Sequence, residues 1–262
     1  MTMAMMSLKT SALLALSLAA TTAIAQCTRE ELLAVTDSYL EAQSSGSPDA
    51  LASLSAEVDY SENFEAADIA SGILSQALEL AHNRSTHDTT ACATYTELIV
   101  TDPAHPYVIG SQIRLTDGAI TQIETIVTDQ GDWLFNATGT YYWASQEAWD
   151  VIPEADRDTR EVIQAAGDAY ADLFNDKSVT VPWGTPCARL EGGAYTGSGS
   201  ATDRCDVGVP DGVALVDRRY VIDETLGTVG IFLTFGSIPD SHEFRVEKGK
   251  LRYVHTMSVM GA

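Results

Sequence analysis

"SHEFRVEKGKLRYVHT", Ser241 to Thr256, reads as two strands joined by a tight turn at Glu247-Lys248-Gly249. The same pattern stands earlier in the chain as "SQIRLTDGAITQIET", Ser111 to Thr125. Arg114 corresponds to Arg245, Gly118 to Gly249 and Thr125 to Thr256, each pair 131 positions apart. "TREELLAVTDSYLEA" (Thr28–Ala42) lies over "TREVIQAAGDAYADL" (Thr159–Leu173) at the same offset, sharing Thr, Arg, Glu, Ala, Asp and Tyr. Two separated segments with one offset mark a tandem duplication, and the long period means duplicated domains rather than a solenoid. One difference stands out: Glu124 occupies the place of His255.

Each copy opens with an amphipathic helix. Thr28 and Thr159 are N-cap candidates, with Glu31 at the capping-box position in the first copy. Leu32, Val35, Tyr39 and Leu40 form one apolar stripe, and Ile163, Ala166, Tyr170 and Phe174 the other. β-Branched and aromatic runs predict strands over Ala93–Val100, Tyr107–Leu115, Ala119–Thr128 and Trp133–Trp143 in the first copy. In the second they predict Val213–Asp223, Thr228–Gly236, Glu243–Glu247 and Lys250–Val259. Gly118 and Gly249 suit hairpin turns that need positive φ. A helical pattern spans Ala67–His82 in the first copy. The second has a Gly/Ser/Asp loop, "YTGSGSATDRCDVGVPDG", in its place.

Lys9 followed by "SALLALSLAATTAIA" and the small-x-small Ala23-Ile24-Ala25 reads as a secretory signal peptide over residues 1–25. The run is short for a membrane span, and no later segment is apolar enough to make one. The expectation is a secreted, extracellular chain that starts near Gln26, with domains at 26–150 and 151–262. Four cysteines, Cys27, Cys92, Cys187 and Cys205, suggest two disulfides in such a compartment. They allow three connectivities, of which Cys27–Cys92 with Cys187–Cys205, one bridge in each half, is favoured. Asn83 and Asn136 sit in glycosylation sequons. The full chain carries a formal charge of −22, which makes nucleic acid and anionic membrane surfaces poor partners.

Helices followed by an antiparallel sheet, with "DALASLSAEVDYSENFEA" and "IRLTDGAITQIETIV" in the first copy, resemble the NTF2-like α+β cone of SnoaL type. "VPWGTPCARLEGGAY" through "PDSHEFRVEKGKLRYVHT" is similar to a secreted fungal domain of unknown function (DUF8021-like). The resemblance implies two tandem cones, each an N-terminal helix packed on a curved antiparallel sheet. It implies pairing of the two sheets as an intrachain pseudo-dimer, compatible with a monomer. It also implies an apolar pocket for a small apolar metabolite.

NTF2-like cones host enzymes, binders and structural dimers, so the fold alone assigns none of these. The favoured expectation is a cofactor-free cyclase, isomerase or dehydratase, set in fungal natural-product biosynthesis. A non-catalytic binder or effector is the second, and a surface glycoprotein the third.

His255 leads the catalytic candidates, as an imidazole on the last long strand. Alternation puts it with Leu251, Tyr253 and Met257, the more apolar face, which is taken as inward. The alternative is that this face meets the other sheet or solvent. Asp240 and His242 share a face if extended and could orient an imidazole, although a turn cap with an exposed His is the commoner arrangement. Asp240, His242 and His255 lack a characteristic ligand spacing, and "HEFRV" lacks the second His of a zinc helix, so no metal is expected. Tyr253, Glu124, Tyr60, Glu62, Trp183, Tyr141 and Trp143 are the pocket-lining candidates. Arg189 and Glu191 read as a mutually compensating structural pair.

Overall fold

The computed structural model describes residues 27–260. The expected signal peptide lies outside them. The first copy begins with helix α1 (Arg29–Ser45), capped by Thr28 and Glu31 as a complete capping box. It continues through β1 (Leu54–Glu62), β2 (Glu65–Ala66), β3 (His82–Asp88), β4 (Ala93–Val100), β5 (Tyr107–Thr116) and β6 (Ala119–Thr128). After α2 (Ala137–Ala144), the second copy runs α3 (Arg160–Asp172), β7 (Trp183–Glu191), β8 (Ala194–Tyr195), β9 (Leu215–Asp223), β10 (Thr228–Phe235), β11 (Ile238–Glu247) and β12 (Lys250–Ser258).

The result is a mixed α+β structure with two six-stranded sheets of matching order, β2-β1-β6-β5-β4-β3 and β8-β7-β12-β11-β10-β9. In each, the strand after the helical part pairs parallel with the last strand, and the rest is an antiparallel meander. Asp117 and Gly118, and Lys248 and Gly249, take positive φ, the two-residue turn that fits the twist of a hairpin.

Each helix covers one face of its own sheet. Leu32, Val35 and Tyr39 pack on Leu98, Ile109 and Ile123, and Ile163, Ala166 and Tyr170 on Val229, Phe244 and Val254. The opposite faces of the two sheets pack against each other, with Tyr95, Ile99 and Ile126 against Leu190, Phe232 and Met257. Approach is close: a Cβ on Gly230 would lie 2.9 Å from the Tyr95 ring. The order is therefore helix, sheet, sheet, helix, with three cores.

Two expected elements take other forms. The helical pattern expected over Ala67–His82 is not a helix: a short 3-10 turn, Ile73–Ser75, is followed by extended chain that enters β3 at His82. Side chains satisfy the turn's backbone: Gln43 Nε2 donates to the Ile73 and Gln76 carbonyls, and Glu62 accepts from the Ile73 amide. Ile73, Leu74 and Leu78 are buried, so an apolar plug gives the same spacing as a helix stripe. The run expected as a strand over 133–143 becomes α2, whose N-cap Asn136 accepts from the Gly139 amide at 2.9 Å. Local capping decides there over β-propensity. The disulfides are Cys27–Cys92 and Cys187–Cys205, one in each half.

Candidate functional site

The first copy supplies an internal reference for the second. β5 and β11 correspond at the sequence offset, so Ile109 matches Asp240 and Ser111 matches His242. Their partners agree, Val127 with Ser258 and Thr125 with Thr256. β1 on β6 places Glu62 beside Thr125, and β7 on β12 places Glu191 beside Thr256. Glu62 thus matches Glu191, and Tyr60 matches Arg189.

In the first copy the polar groups beneath the helix are closed on one another. Tyr39 Oη lies 2.6 Å from Ser111 Oγ, which lies 3.0 Å from Thr125 Oγ1. The Tyr60 hydroxyl donates to Glu62 at 2.5 Å, and burial, followed by the Glu62 carboxylate, pushes its pKa up.

The second copy keeps a small cavity of about 70 Å3 in the corresponding place. Tyr170, Phe174 and Phe235 make its apolar wall, and Arg189, Glu191, His242, Thr256 and Ser258 its polar one. Trp133, from the segment after β6, closes it from the first copy, and Gly208–Pro210 form part of its rim. His242 is almost fully buried, in contact with the Tyr170, Phe174 and Phe244 rings. Asp240 is fully buried, accepts from Ser258 Oγ at 2.5 Å, and presents Oδ2 2.9 Å from His242 Nδ1. That contact is short but out of hydrogen-bond alignment, because neither atom has an aligned partner. A modest turn of the imidazole would align it, as acid–base groups commonly do when a ligand arrives. Arg189 Nε lies 2.8 Å from Glu191 Oε1, and Nη1 donates to the Cys205 carbonyl, tying the site to the second disulfide.

His255 is not in this cavity. From Tyr253 onward the strand alternates as expected, but the face toward α3 is that of Val254 and Thr256, and Leu251, expected beside His255, packs in the α3 core beyond an irregularity between Leu251 and Tyr253. His255, Tyr253 and Met257 face the other sheet. Both faces of this sheet are buried, so apolarity could not tell one from the other. Asp240, His242 and His255 therefore do not converge.

Both His255 ring nitrogens are occupied, Nδ1 by Glu97 at 2.8 Å and Nε2 by Glu147 at 2.7 Å. Arg84 contacts Glu243 and, at 3.1 Å, Glu97, and its guanidinium lies 3.7 Å from the Trp149 ring centroid. Burial alone would lower the His255 pKa, but Glu97 and then Glu147 outweigh it and raise it to about 9. An imidazolium donating to two carboxylates has no free position for a substrate. The cluster joins β3 and β4 of the first copy to β11 and β12 of the second through the linker residues Glu147 and Trp149.

The remaining candidates lie apart from the cavity. Tyr253 stacks on Trp149, Glu124 pairs with Arg219 across the sheets at 2.9 Å, and Trp183 meets the Tyr170 ring edge-on. Tyr60 is in the first core, and Glu62 borders an open polar groove. Tyr141 is exposed on α2 near His82, and Trp143 stacks on Tyr195 at 4.2 Å. Asn83 is exposed on β3, and Asn136 is engaged as the α2 cap. Sequence reading passed over Ser258, Thr256 and Trp133 in the cavity, and Arg84, Glu97 and Glu147 in the cluster. Glu97 did carry a signal: a lone acid within the apolar run "ATYTELIV".

A family model described as "Domain of unknown function (DUF8021)" matches residues 156–258, which are the second copy. No curated protein and no solved structure matches the chain. Residues 156–258 thus carry a domain of unknown function, and the comparisons assign it no activity.

Proposed function

We propose that the protein is a secreted, cofactor-free enzyme of NTF2-like, SnoaL type that moves protons on a small, largely apolar metabolite inside the second copy. The observation that carries this reading is the buried Asp240–His242 pair at a partly open aromatic cavity, where the first copy has Ile109 and Ser111. A buried carboxylate beside an imidazole supports general acid–base work, with Asp240 holding the ring and His242 Nε2 exchanging the proton. Isomerisation, dehydration and cyclisation all fit, and fungal natural-product chemistry is the proposed setting. The parallel-closed sheet under one helix, seen twice, supports the tandem-cone reading. Two disulfides are compatible with secretion, and no helix among the described residues is long and apolar enough to cross a membrane.

The misaligned Asp240–His242 contact favours a second reading, a carrier that uses the cavity without turnover. A panel of small ketones, alcohols and enones, incubated with wild type and His242→Gln and followed by mass spectrometry, separates the two. An enzyme converts a compound to an isomer or a dehydrated product, and His242→Gln does not. A carrier depletes a compound that is recovered unchanged on denaturation. Conversion at equal rates by both proteins overturns the acid–base reading.

A further inference from the structure

Three polar groups in the second copy's cavity have lost the partners that their counterparts keep. Tyr170 matches Tyr39, yet among the described residues its hydroxyl makes no hydrogen bond, where Tyr39 holds Ser111. Thr256 matches Thr125, and its buried Oγ1 has no partner, where Thr125 holds Ser111. Arg189 replaces Tyr60. Its Nε faces Glu191 and its Nη1 the Cys205 carbonyl, and Nη2 makes no hydrogen bond among the described residues. A methyl group on Gly208, at the cavity rim, would stand 3.8 Å from that Nη2. Tyr170, Arg189 and Thr256 are all more than nine-tenths buried.

A buried donor without a partner costs about 1–3 kcal/mol, and native proteins hold few such groups. Thr256 Oγ1 is such a buried atom, and with Tyr170 Oη and Arg189 Nη2, which make no hydrogen bond at the same void while their counterparts are closed in the sister copy, it marks the place of a missing acceptor. Burial raises the Tyr170 phenol, so it remains a donor. The void of about 70 Å3 has room for about two waters, the size of a small polar group such as a carbonyl, since a water occupies about 30 Å3 of liquid.

The charge of the acceptor follows from the neighbours. Glu191 already balances Arg189, and Asp240 lies against His242. A further carboxylate would add an unmatched negative charge in a buried site of a chain that carries −22.

We propose that the second copy's cavity binds a neutral carbonyl group, its oxygen received by Arg189 Nη2, Tyr170 Oη and Thr256 Oγ1, with the apolar substituents against Phe174 and Phe235. This names the ligand class of the same cavity, and so rests on that site being the functional one. A larger substrate would extend past Trp133 and Gly208–Pro210 while its carbonyl end stays seated.

The test uses acetone as the probe and acetate as its charged isostere. The indole N–H of Trp133 is followed by 1H–15N correlation in protein labelled at tryptophan. Acetone is expected to shift that resonance saturably and to bind at least five-fold more tightly than acetate. Arg189→Met should weaken acetone at least five-fold. Tyr170→Phe should weaken it about three-fold, and it tests the claim even where Arg189→Met does not fold. No saturable shift, tighter acetate, or unchanged acetone affinity in Tyr170→Phe overturns the proposal. His242→Gln separates this result from the acid–base reading. Acetone binding that survives in that variant, in a protein that converts nothing, keeps the carbonyl site and removes the catalysis. Turnover that is indifferent to Arg189 and Tyr170 does the reverse.

Discussion

Arg160, the first residue of the second copy's helix, grips Asp88 of the first copy through two parallel hydrogen bonds of 2.7 Å. Arg29, at the matching place in the first copy, holds Asp223 of the second at 2.8 and 2.9 Å. Each copy therefore lends its helix-start arginine to the end of the other's outer strand. The Thr-Arg-Glu that survives the duplication has a physical reason: Thr caps the helix and Arg reaches the sister copy.

Asp88 is fully buried and also accepts from the Ile222, Thr90 and Ala91 amides. Removing one member of such a pair leaves a buried charge uncompensated, at a cost of about 3–5 kcal/mol. Arg160→Met leaves the buried Asp88 in that position and is expected to lose up to that much stability in urea unfolding, and Asp88→Ala, which leaves the quarter-exposed Arg160, should lose less. A double-mutant cycle with Arg160→Met should return a coupling above about 1 kcal/mol. Additive losses would show that the two copies do not depend on this exchange.

Stability should peak at mildly acidic pH. His255, raised from 6.5 to about 9, contributes fully below about 6.5, and that contribution is lost as pH rises through about 9. Glu97 and Asp223 act at the acid end. Burial pushes both up, but Arg84 and His255 for the first, and His87 and Arg29 for the second, bring them down to about 2. Their contribution is present above their unfolded values and is lost as pH falls toward 2. Glu243 is raised by burial despite Arg84, so it adds to the loss on the alkaline side. Calorimetry should show the highest Tm between about pH 5 and 6.5, with a fall on both sides. His255→Gln should lower Tm and flatten the alkaline fall. A wild-type Tm that stays constant from about pH 6.5 to 9 contradicts this account of the cluster.

The two disulfides should differ in weight. Their partners are 65 and 18 positions apart, so loop entropy alone gives about 4 and about 3 kcal/mol respectively. Cys27→Ser with Cys92→Ser should therefore lose more stability in denaturant unfolding. The Cys187→Ser, Cys205→Ser variant should in addition lose ligand affinity, because the Cys205 carbonyl holds Arg189 at the cavity. Equal affinity in that variant and wild type would detach the loop from the site.

Much of the fold was legible because local rules and burial agreed. The capping Thr28, the turns at Gly118 and Gly249 and the β-branched runs each point to one structure. Where they parted, reading failed. The apolar spacing of Ile73, Leu74 and Leu78 serves a plug, whose backbone is held by Gln43 and Glu62 from elsewhere in the chain. The site was half legible. Asp240 and His242, two apart on one strand, could be read as a pair. That His255 turns away could not, since this depends on which face of a doubly buried sheet meets the helix. Glu147 and Trp149 lie in the linker, and nothing local reveals that they close over His255.

The most direct test of the central claim places the functional histidine. Protein labelled with 15N at its five histidines is titrated with acetone, and the ring nitrogens are followed by long-range 1H–15N correlation. The account predicts that the His242 resonances move saturably with the occupancy reported at Trp133, while those of His255 stay fixed between Glu97 and Glu147. Movement of His255 with His242 unchanged would place the binding site between the sheets and contradict the account.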